Sequence, residues 1–451
     1  MFHVKPRAPI GWLYSLANFG TSLTSFAVST YIGFFYIALM GLPPRWVGWG
    51  LFAFSWWNAL NDPFAGWLSD RTRSRWGRRI PYIAALALPL ALTFAAVWTP
   101  PVSAARPAWL FAYLMLAVTL HDLIYTMVAL NVAALFPEMF ADLASRARVN
   151  GWRQIASLVG MLVGVAGAPV VAERLGWPGM GALFGMAAAA SLLLALSGAR
   201  EQRAYARTGS RPGLSLALRQ PLRHRAYVIY LGIGFLIRLA LTTLNSTMPF
   251  YASYVLGLGT TGASWLLGVA LGAALLAMRP WAWLLARWGA RRTALIAELL
   301  VAAAVLPFLF LRDWPSALAA AALAGINLAG LQVTPDVLLA EVVDADHVYT
   351  GQRHEGIYFG VGNFVNRLPN VLQAAGIGEM LTLAGFSAGL TTQPPAVTVG
   401  LRLLIGGVPA LALGLAALLT WLYPLHGARL AQIKAQVAVL RAAAEGLEGG
   451  N

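Results

Sequence analysis

Long apolar runs recur along the whole of this chain, and they constrain its fold more than any other feature. A helix that spans a bilayer needs about 20 predominantly apolar residues. Twelve such stretches can be drawn, at residues 11–40, 44–68, 80–100, 107–136, 150–172, 177–199, 226–256, 260–286, 293–311, 315–343, 355–384 and 398–423. Because 59% of the 451 residues are hydrophobic and only 11% are charged, a soluble core could not bury this much apolar surface. The sequence therefore predicts an all-α membrane protein with twelve transmembrane helices.

The basic residues are distributed between the loops in a pattern that predicts topology. Of the 32 lysines and arginines, 23 fall in the two termini and in every second loop. The remaining loops hold only Arg45, Arg106, Arg174 and Arg312. Since cytoplasmic loops carry the excess of Lys and Arg, we expect both termini in the cytoplasm. Topology then explains the net charge of +15, and we expect no nucleic-acid partner.

A polar stretch at residues 200–225, rich in Arg, Gly and Ser, divides six predicted spans from six. We interpret it as a cytoplasmic linker between an N-terminal bundle at 1–199 and a C-terminal bundle at 226–423, followed by a cytoplasmic tail at 424–451. Each half also carries a basic turn between its second and third spans. Such six-plus-six repeats are typical of secondary transporters, whose halves rock around a site near the midplane.

The second span carries a carboxylate, Asp62, between Trp57 and Phe64 and directly before Pro63. An ionisable group in hydrocarbon costs about 2.5 to 3.5 kcal/mol even on insertion-based scales, so a retained one is a candidate for ion or substrate handling. Asn58 lies four residues earlier, on the same helix face. Oxygen ligands suit a hard cation such as sodium, and a desolvated carboxylate can instead carry a proton. We predict that these residues bind the coupling ion; interhelical pairing is the alternative.

A second carboxylate, Asp122, lies in mid-span, with Thr119 three residues before it. A carboxylate can accept hydrogen bonds from two neighbouring hydroxyls of a ligand, although an ion pair with Arg153 would also explain it. In the second half, Arg367 follows Asn363 by one turn inside a predicted span, and a buried cation requires a partner. We predict that Asp122, Asn363 and Arg367 contribute to substrate binding.

The loop after the second span is dense with arginine. Gly66, Asp70 and Arg71 follow one another at helix-turn spacing, and Arg78 and Arg79 close the loop. We predict a clasp at the cytoplasmic gate, in which the acid pairs with arginines or with a helix end. A patch that binds anionic lipid is the other interpretation.

These motifs resemble those of a known family. The run from span 2 into its loop reads Asn61-Asp62-Pro63-x-x-Gly66-x-x-x-Asp70-x-Thr72-Arg73-Ser74-Arg75-Trp76-Gly77-Arg78. It resembles the signature of the glycoside-pentoside-hexuronide cation symporters, the melibiose-permease-like branch of the major facilitator superfamily. Similarity continues at Glu341-x-x-Asp344, at residues 353–360 and at residues 148–153. The resemblance implies two pseudo-symmetric six-helix bundles and cation-coupled sugar symport by alternating access.

The resemblance also implies roles for single residues. Asp62 matches one of the family's two cation-site acids, and Thr119 matches a hydroxyl ligand of that site. Asp122 and Arg153 match the sugar-binding acid and arginine. Arg367 stands where the family usually has lysine.

Three positions depart from the family pattern. The other cation-site acid is replaced by Asn58, the sugar-binding acid of span 1 by Ser22, and an aromatic one turn after Asp122 by Thr126. With a single carboxylate, two coupling ions stay open: a proton, or a sodium ion bound by Asp62, Asn58 and Thr119. The absence of the span 1 acid argues against a galactoside-type ligand, while Ser22 and Thr126 remain candidates for substrate contact.

The expected function is secondary active transport in the inner cell membrane. The chain has no cysteine, which excludes disulfides and thiolate catalysis, and it has no phosphate-binding Gly-Lys-Ser/Thr loop for ATP. We therefore expect no enzymatic activity and no cofactor other than a coupling ion, H⁺ or Na⁺, and we expect a monomer. Two alternatives remain: a cation-coupled carrier of lysophospholipids or other amphiphiles, and a sensor or scaffold that has a transporter fold but does not transport.

Overall fold

The computed structural model describes residues 8–72, 74, 77–140, 143–199, 224–350, 358, 361–362 and 364–448. Most of the predicted linker and Asn363 lie outside these residues. The side chains of Asp62, Gly66 and Asp70 also lie outside the description, although their backbones belong to a helix. The described residues form helices and no strands, which confirms the all-α prediction.

Fifteen α-helices are found in the described part of the chain. They are α1 Ala8–Phe34, α2 Pro44–Arg71, α3 Ile80–Val97, α4 Pro107–Met139, α5 Leu143–Leu162, α6 Ala168–Gly198, α7 Arg225–Tyr254, α8 Gly259–Trp288, α9 Ala290–Val305, α10 Trp314–Val333, α11 Pro335–Thr350, α12 Leu368–Leu383, α13 Pro395–Arg402, α14 Val408–Trp421 and α15 Gly427–Glu448. Wider π-helical turns extend α1 at Phe35–Leu39, join α5 to α6 at Val163–Gly167, and join α13 to α14 at Leu403–Gly407.

The helix boundaries follow from local chemistry. Proline opens α2, α4, α11 and α13, because its missing N–H is not needed in the first turn of a helix and its fixed φ suits helix entry. Asp313 precedes α10, and its Oδ2 accepts a hydrogen bond from the Ser316 amide at 3.0 Å. The hydroxyl and the amide of Ser316 hold the pKa of Asp313 below its usual range. Gly289, at φ 77°, separates α8 from α9, since a residue without Cβ adopts this conformation at little cost.

Nine stretches of the described residues are long and apolar enough to cross a membrane. One of them, Arg148–Gly198, has 51 residues, about 76 Å of helix at 1.5 Å per residue. That is more than twice the thickness of a hydrocarbon core of about 30 Å. Gly176, at φ 71° and ψ 165°, breaks it inside α6, so this stretch has room for two spans.

The described Cα positions fall into two compact units. The first takes in the described residues of Met1–Thr208, Asn245–Gly268 and Ala374–Leu401. Within it α1 packs closely on α5, because two glycines bring the backbones together. A Cβ on Gly160 would lie 2.4 Å from the carbonyl oxygen of Phe19, and one on Gly164 would lie 2.6 Å from that of Leu23. A side chain at either position would therefore force the two helices apart.

The second unit takes in the described residues of Gly209–Leu244, Val269–Gln373 and Arg402–Asn451. Here α9 and α14 are joined by polar contacts at their buried faces. Thr420 Oγ1 donates to Glu298 Oε1 at 2.9 Å, and Arg291 Nε donates to the Thr420 carbonyl at 3.1 Å. Local pairing with Thr420 therefore holds the Glu298 carboxyl in place.

The tail forms helix α15 and packs on α11 in the second unit. Ile433 and Val437 are buried, and Lys434 Nζ lies 3.4 Å from Glu341 Oε1. Nearby, His224 precedes α7, and burial lowers its pKa, an effect that Asp346 opposes. The apolar residues of the tail, which recur at helical spacing, therefore pack against protein.

Candidate functional site

A buried carboxylate between α2 and α4 forms the centre of the candidate site in the first unit. Asp122 Oδ1 accepts a hydrogen bond from Asn58 Nδ2 at 2.6 Å, and its Oδ2 accepts one from Asn61 Nδ2 at 3.1 Å. The Asn61 amide also donates to the Asp122 carbonyl at 3.2 Å. Asn58 and Asn61 are three residues apart on α2, so both face α4. Asp122 is 8% exposed and Asn61 2%.

This arrangement favours a ligand that donates hydrogen bonds or carries positive charge. Both carboxylate oxygens accept amide hydrogens, and such bonds stabilise the ionised form of a carboxylate. Each of the two asparagines directs its amide nitrogen toward Asp122. The Asn61 Oδ1 atom is buried and has no hydrogen-bond partner in the described structure. A buried acceptor of this kind needs a donor or a cation.

The predicted neighbours of Asp122 lie on its own helix. Thr119 and Thr126 are three residues before and four residues after it, which places them on the same face of α4. Thr126 is 6% exposed, and Thr119 is half-buried. Asn58, predicted to face Asp62, directs its amide nitrogen to Asp122 across the α2–α4 contact. Its pairing with Asp62 at an ion site stays a prediction.

Asn61 did not figure among the predicted site residues. Its position in the sequence could have identified it, because Asn61 follows Asn58 by three residues and therefore lies on the same face of α2. It also opens the signature that ends in the arginine loop.

Ser22, on α1, contacts α5. Its hydroxyl shares a hydrogen bond of 2.6 Å with the Ser157 hydroxyl, and Ser22 is 9% exposed. Its bond therefore joins the two helices that Gly160 brings into backbone contact.

The structure does not bring Arg153 and Asp122 together. Arg153 Nε donates to Asn18 Oδ1 at 3.2 Å, and its guanidinium carbon lies 4.3 Å from the centre of the Phe136 ring. Phe136 follows Asp122 by 14 residues on α4, about 21 Å of helix at 1.5 Å per residue. An arginine side chain cannot span that distance, so the predicted pairing of acid and arginine at one substrate site is not formed here.

Two arginines of the loop after α2 contact an acid, Glu138, that was not among the predicted site residues. Arg78 Nη2 donates to Glu138 Oε1 at 3.2 Å, and Arg79 Nε lies 3.5 Å from the same oxygen. Arg79 Nη1 also donates to Ser69 Oγ at 3.1 Å. Glu138 is at the end of α4, so this arginine clasp joins α2, α3 and α4 inside the first unit. Arg71 is the exposed last residue of α2.

Arg367 lies at a break in the helix predicted for residues 355–384. Asn366 and Arg367 form a turn, and α12 begins at Leu368. The break follows from Pro369, because a proline lacks the N–H and clashes with the carbonyl four residues earlier. Discontinuous helices in transporters commonly lie at binding sites, which keeps Arg367 a candidate. Its helix partner in the prediction, Asn363, is outside the described residues.

A second polar contact joins α2 to α12 in the first unit. The guanidinium of Arg45 binds both oxygens of Glu379, with Nε–Oε1 and Nη2–Oε2 distances of 2.9 and 2.8 Å. Trp49 Nε1 donates to Glu379 Oε1 at 2.6 Å. Beside this contact a Cβ on Gly378 would lie 2.8 Å from Gly48 Cα, so the two backbones touch. We name Arg45, Trp49 and Glu379 the α2–α12 latch.

Comparison with known sequences places the chain in a family. Residues 13–427 match the family described as MFS/sugar transport protein. The chain belongs to this family. As a member of the MFS/sugar transport family it is a multi-pass membrane protein of the major facilitator type, a transporter and not an enzyme, and the predicted resemblance is confirmed.

Three relatives are similar to the chain along most of their length. The chain is 25% identical to the isoprimeverose transporter of Lactiplantibacillus pentosus over 425 residues, 91% of this chain and 87% of that protein. It is 26% identical to a glucuronide carrier protein homologue of Escherichia coli over 443 residues, 94% of each. It is 23% identical to sodium-dependent lysophosphatidylcholine symporter 1-A of Danio rerio over 471 residues, 94% of this chain and 88% of that protein.

Solved transporter structures share the fold of this family member. A bacterial homologue of the human lysosomal transporter Spinster, crystallised in an inward-facing and unoccupied conformation, superposes with a TM-score of 0.68. The match covers 94% of this chain and 98% of that one, at 16% identity.

Proposed function

We propose that the protein is a cation-coupled symporter that moves a sugar, glycoside or uronide by alternating access. The observation that carries the proposal is the buried Asp122 carboxylate of the membrane-spanning helix α4, held by two asparagine amides of α2. A charged group at that depth is costly and is retained for ion or substrate handling. The names of two relatives, an isoprimeverose transporter and a glucuronide carrier homologue, support a sugar-type substrate.

In this proposal Asn58 connects the ion site to the substrate site. Asp62, Asn58 and Thr119 bind the coupling ion, H⁺ or Na⁺, and Asp122 with Thr126 accepts the hydroxyl groups of the substrate. The Asn58 nitrogen already donates to Asp122, and its oxygen faces the opposite way within the same amide. An ion bound at that oxygen polarises the amide and strengthens its hydrogen bond to Asp122. Each ligand then raises the affinity for the other, typically by about 5- to 150-fold.

Twelve spans with both termini in the cytoplasm remain part of the proposal. Among the described residues the nine candidate stretches include one that has room for two spans. The 28-residue helix α2 and the interrupted helix that ends in α12 would supply the other two. The arginine clasp would hold the cytoplasmic gate, and the α2–α12 latch would hold the opposite one.

A second candidate function is the transport of lysophospholipid. The lysophosphatidylcholine symporter among the relatives favours it. In that case the coupling-ion site would be retained, while the substrate would be an amphiphile and neutral sugars would not compete.

Uptake into proteoliposomes tests the proposal. The panel contains glycosides, uronides and a lysophospholipid, each offered under a separately imposed proton or sodium gradient. We expect gradient-driven accumulation of one sugar-type substrate, its loss in Asp122→Asn, and no loss in the surface variant Arg312→Gln. Uptake of the lysophospholipid alone would favour the second candidate, and accumulation that ignores both gradients would exclude symport.

A further inference from the structure

The guanidinium of Arg238 lies near the middle of a membrane-spanning helix. It follows Arg225, the first residue of α7, by 13 residues and precedes Tyr254, the last, by 16. At 1.5 Å per residue these intervals are about 20 and 24 Å. A side chain of about 7 Å cannot reach the headgroups from the centre of a hydrocarbon core about 30 Å thick. The side chain therefore cannot lower the free-energy cost of burying its charge by reaching the membrane surface.

Arg238 has no anion to balance it in the described structure. Among the described residues its guanidinium makes no hydrogen bond, ion pair or ring contact, and only its backbone carbonyl is used, by Thr242 Oγ1 at 2.9 Å. The side chain is exposed. Another arginine of a membrane-spanning stretch, Arg402, is satisfied, because its Nη1 donates to the Leu309 carbonyl at 2.8 Å. Since arginine keeps its proton, Arg238 presents a positive charge at membrane depth.

Arg238 also lies close along α7 to the break that precedes α12. Gly234 lies four residues earlier on the same face of α7, and a Cβ there would lie 3.1 Å from Asn366 Oδ1. Side chains on a helix lean toward its N-terminus and cover the preceding turn. Arg238 therefore lies one helical turn from the point where α7 approaches Asn366, two residues before α12 begins.

We propose that Arg238 binds an acidic group of the transported substrate. The group is a carboxylate, as in a uronide, or a phosphate, as in a lysophospholipid. The inference rests on the proposed transport function and narrows the substrate class to acids. It assigns to the second unit a binding residue separate from the Asp122 cluster of the first.

The test compares ligands that differ only in the acid. Binding of 4-nitrophenyl β-glucuronide and 4-nitrophenyl β-glucoside is measured by titration calorimetry on the purified full-length protein in nanodiscs. A lysophosphatidic acid and the monoacylglycerol with the same acyl chain form the second pair. The proteins are the wild type, Arg238→Gln, Arg238→Lys and the control Arg312→Gln, an exposed arginine in a loop. Thermal unfolding midpoints show which variants remain folded.

A charge-assisted hydrogen bond contributes enough for a tenfold to hundredfold change in affinity, as an order of magnitude. We expect Arg238→Gln to weaken binding of the acidic member of one pair by about that factor. Binding of the neutral member should be unchanged, Arg238→Lys should be intermediate, and Arg312→Gln should match the wild type. The glucuronide pair and the lipid pair identify the source of the acid.

Three results would overturn the inference. They are equal loss of both members of a pair in Arg238→Gln, tighter binding of a neutral member than of its acid by the wild type, and no binding of any acidic ligand. Should Arg238→Gln fail to fold, the selectivity of Arg238→Lys decides by the same criteria. Selective acid binding without gradient-driven uptake would count against symport alone and leave the assignment of Arg238 standing.

Discussion

Removal of the Asn61 amide tests the geometry of the Asp122 site. In Asn61→Ala the carboxylate loses the donor at 3.1 Å, and the Asp122 carbonyl loses the donor at 3.2 Å. A hydrogen bond to a charged group contributes about 1.5 to 3 kcal/mol. Because Asn61 is 2% exposed, water has little access to replace the amide. We expect a loss in the free energy of unfolding of about 2 to 3 kcal/mol.

A double-mutant cycle separates the bond to the acid from the loss of packing. Asn61→Ala is measured in the wild type and in Asp122→Ala, by reversible unfolding in mixed micelles. The cavity left by the shorter side chain is common to both backgrounds and cancels in the comparison. We expect a coupling energy of about 1.5 to 3 kcal/mol, since residues that share a hydrogen bond are not additive.

The same variants are assayed for substrate uptake. If Asn61 holds the carboxylate in its binding orientation, Asn61→Ala should raise the apparent KM about tenfold, which corresponds to about 1.4 kcal/mol. Asn61→Asp, which places a second acid beside the first, should be worse than alanine. Additive effects of Asn61→Ala and Asp122→Ala on stability, together with an unchanged KM, would refute the reasoning.

Three further predictions follow from contacts away from the Asp122 site. Gly160→Ala should lose about 1 to 3 kcal/mol of stability, because its Cβ would lie 2.4 Å from the Phe19 carbonyl oxygen. Gly272→Ala, with nothing within 4 Å of its Cβ, should be neutral or stabilising. Equal thermal unfolding midpoints of the two variants would contradict the packing argument. Glu138→Ala should cost about 3 kcal/mol because it leaves the Arg79 charge, 10% exposed, with less compensation, and the exposed control Glu173→Ala should change the free energy of unfolding by less than about 0.5 kcal/mol. In this naturally cysteine-free chain, a thiol crosslink between Arg45→Cys and Glu379→Cys should stop uptake until it is reduced, and uptake that continues in the crosslinked protein would exclude a gating role for the α2–α12 latch.

Helices and their ends were predictable because their causes are local. The lengths of apolar runs predict α1, α3 and α4, and prolines mark the first residues of α2 and α4. Pro369 would also have predicted the break before α12, since its effect on the carbonyl four residues earlier needs no tertiary information.

The partners of the polar residues could not be predicted in the same way. Asn61 reaches Asp122 because of the register between α2 and α4, which no spacing within one helix specifies. Arg153 and Asp122 are both intramembrane charges, yet Arg153 contacts α4 at Phe136. Phe136 is about four helical turns from Asp122. Glu138 lies at the end of a span, where an acid has no unusual cost, so nothing in the sequence distinguished it as the partner of Arg78 and Arg79.

The most direct test of coupled transport through the acids of α2 and α4 is uptake of the identified substrate under imposed gradients. It is measured in proteoliposomes containing the wild type, Asp62→Asn or Asp122→Asn, alongside substrate exchange without any gradient. We expect accumulation by the wild type, exchange without accumulation by Asp62→Asn, and neither process by Asp122→Asn. Full gradient-driven accumulation by either variant would contradict the account.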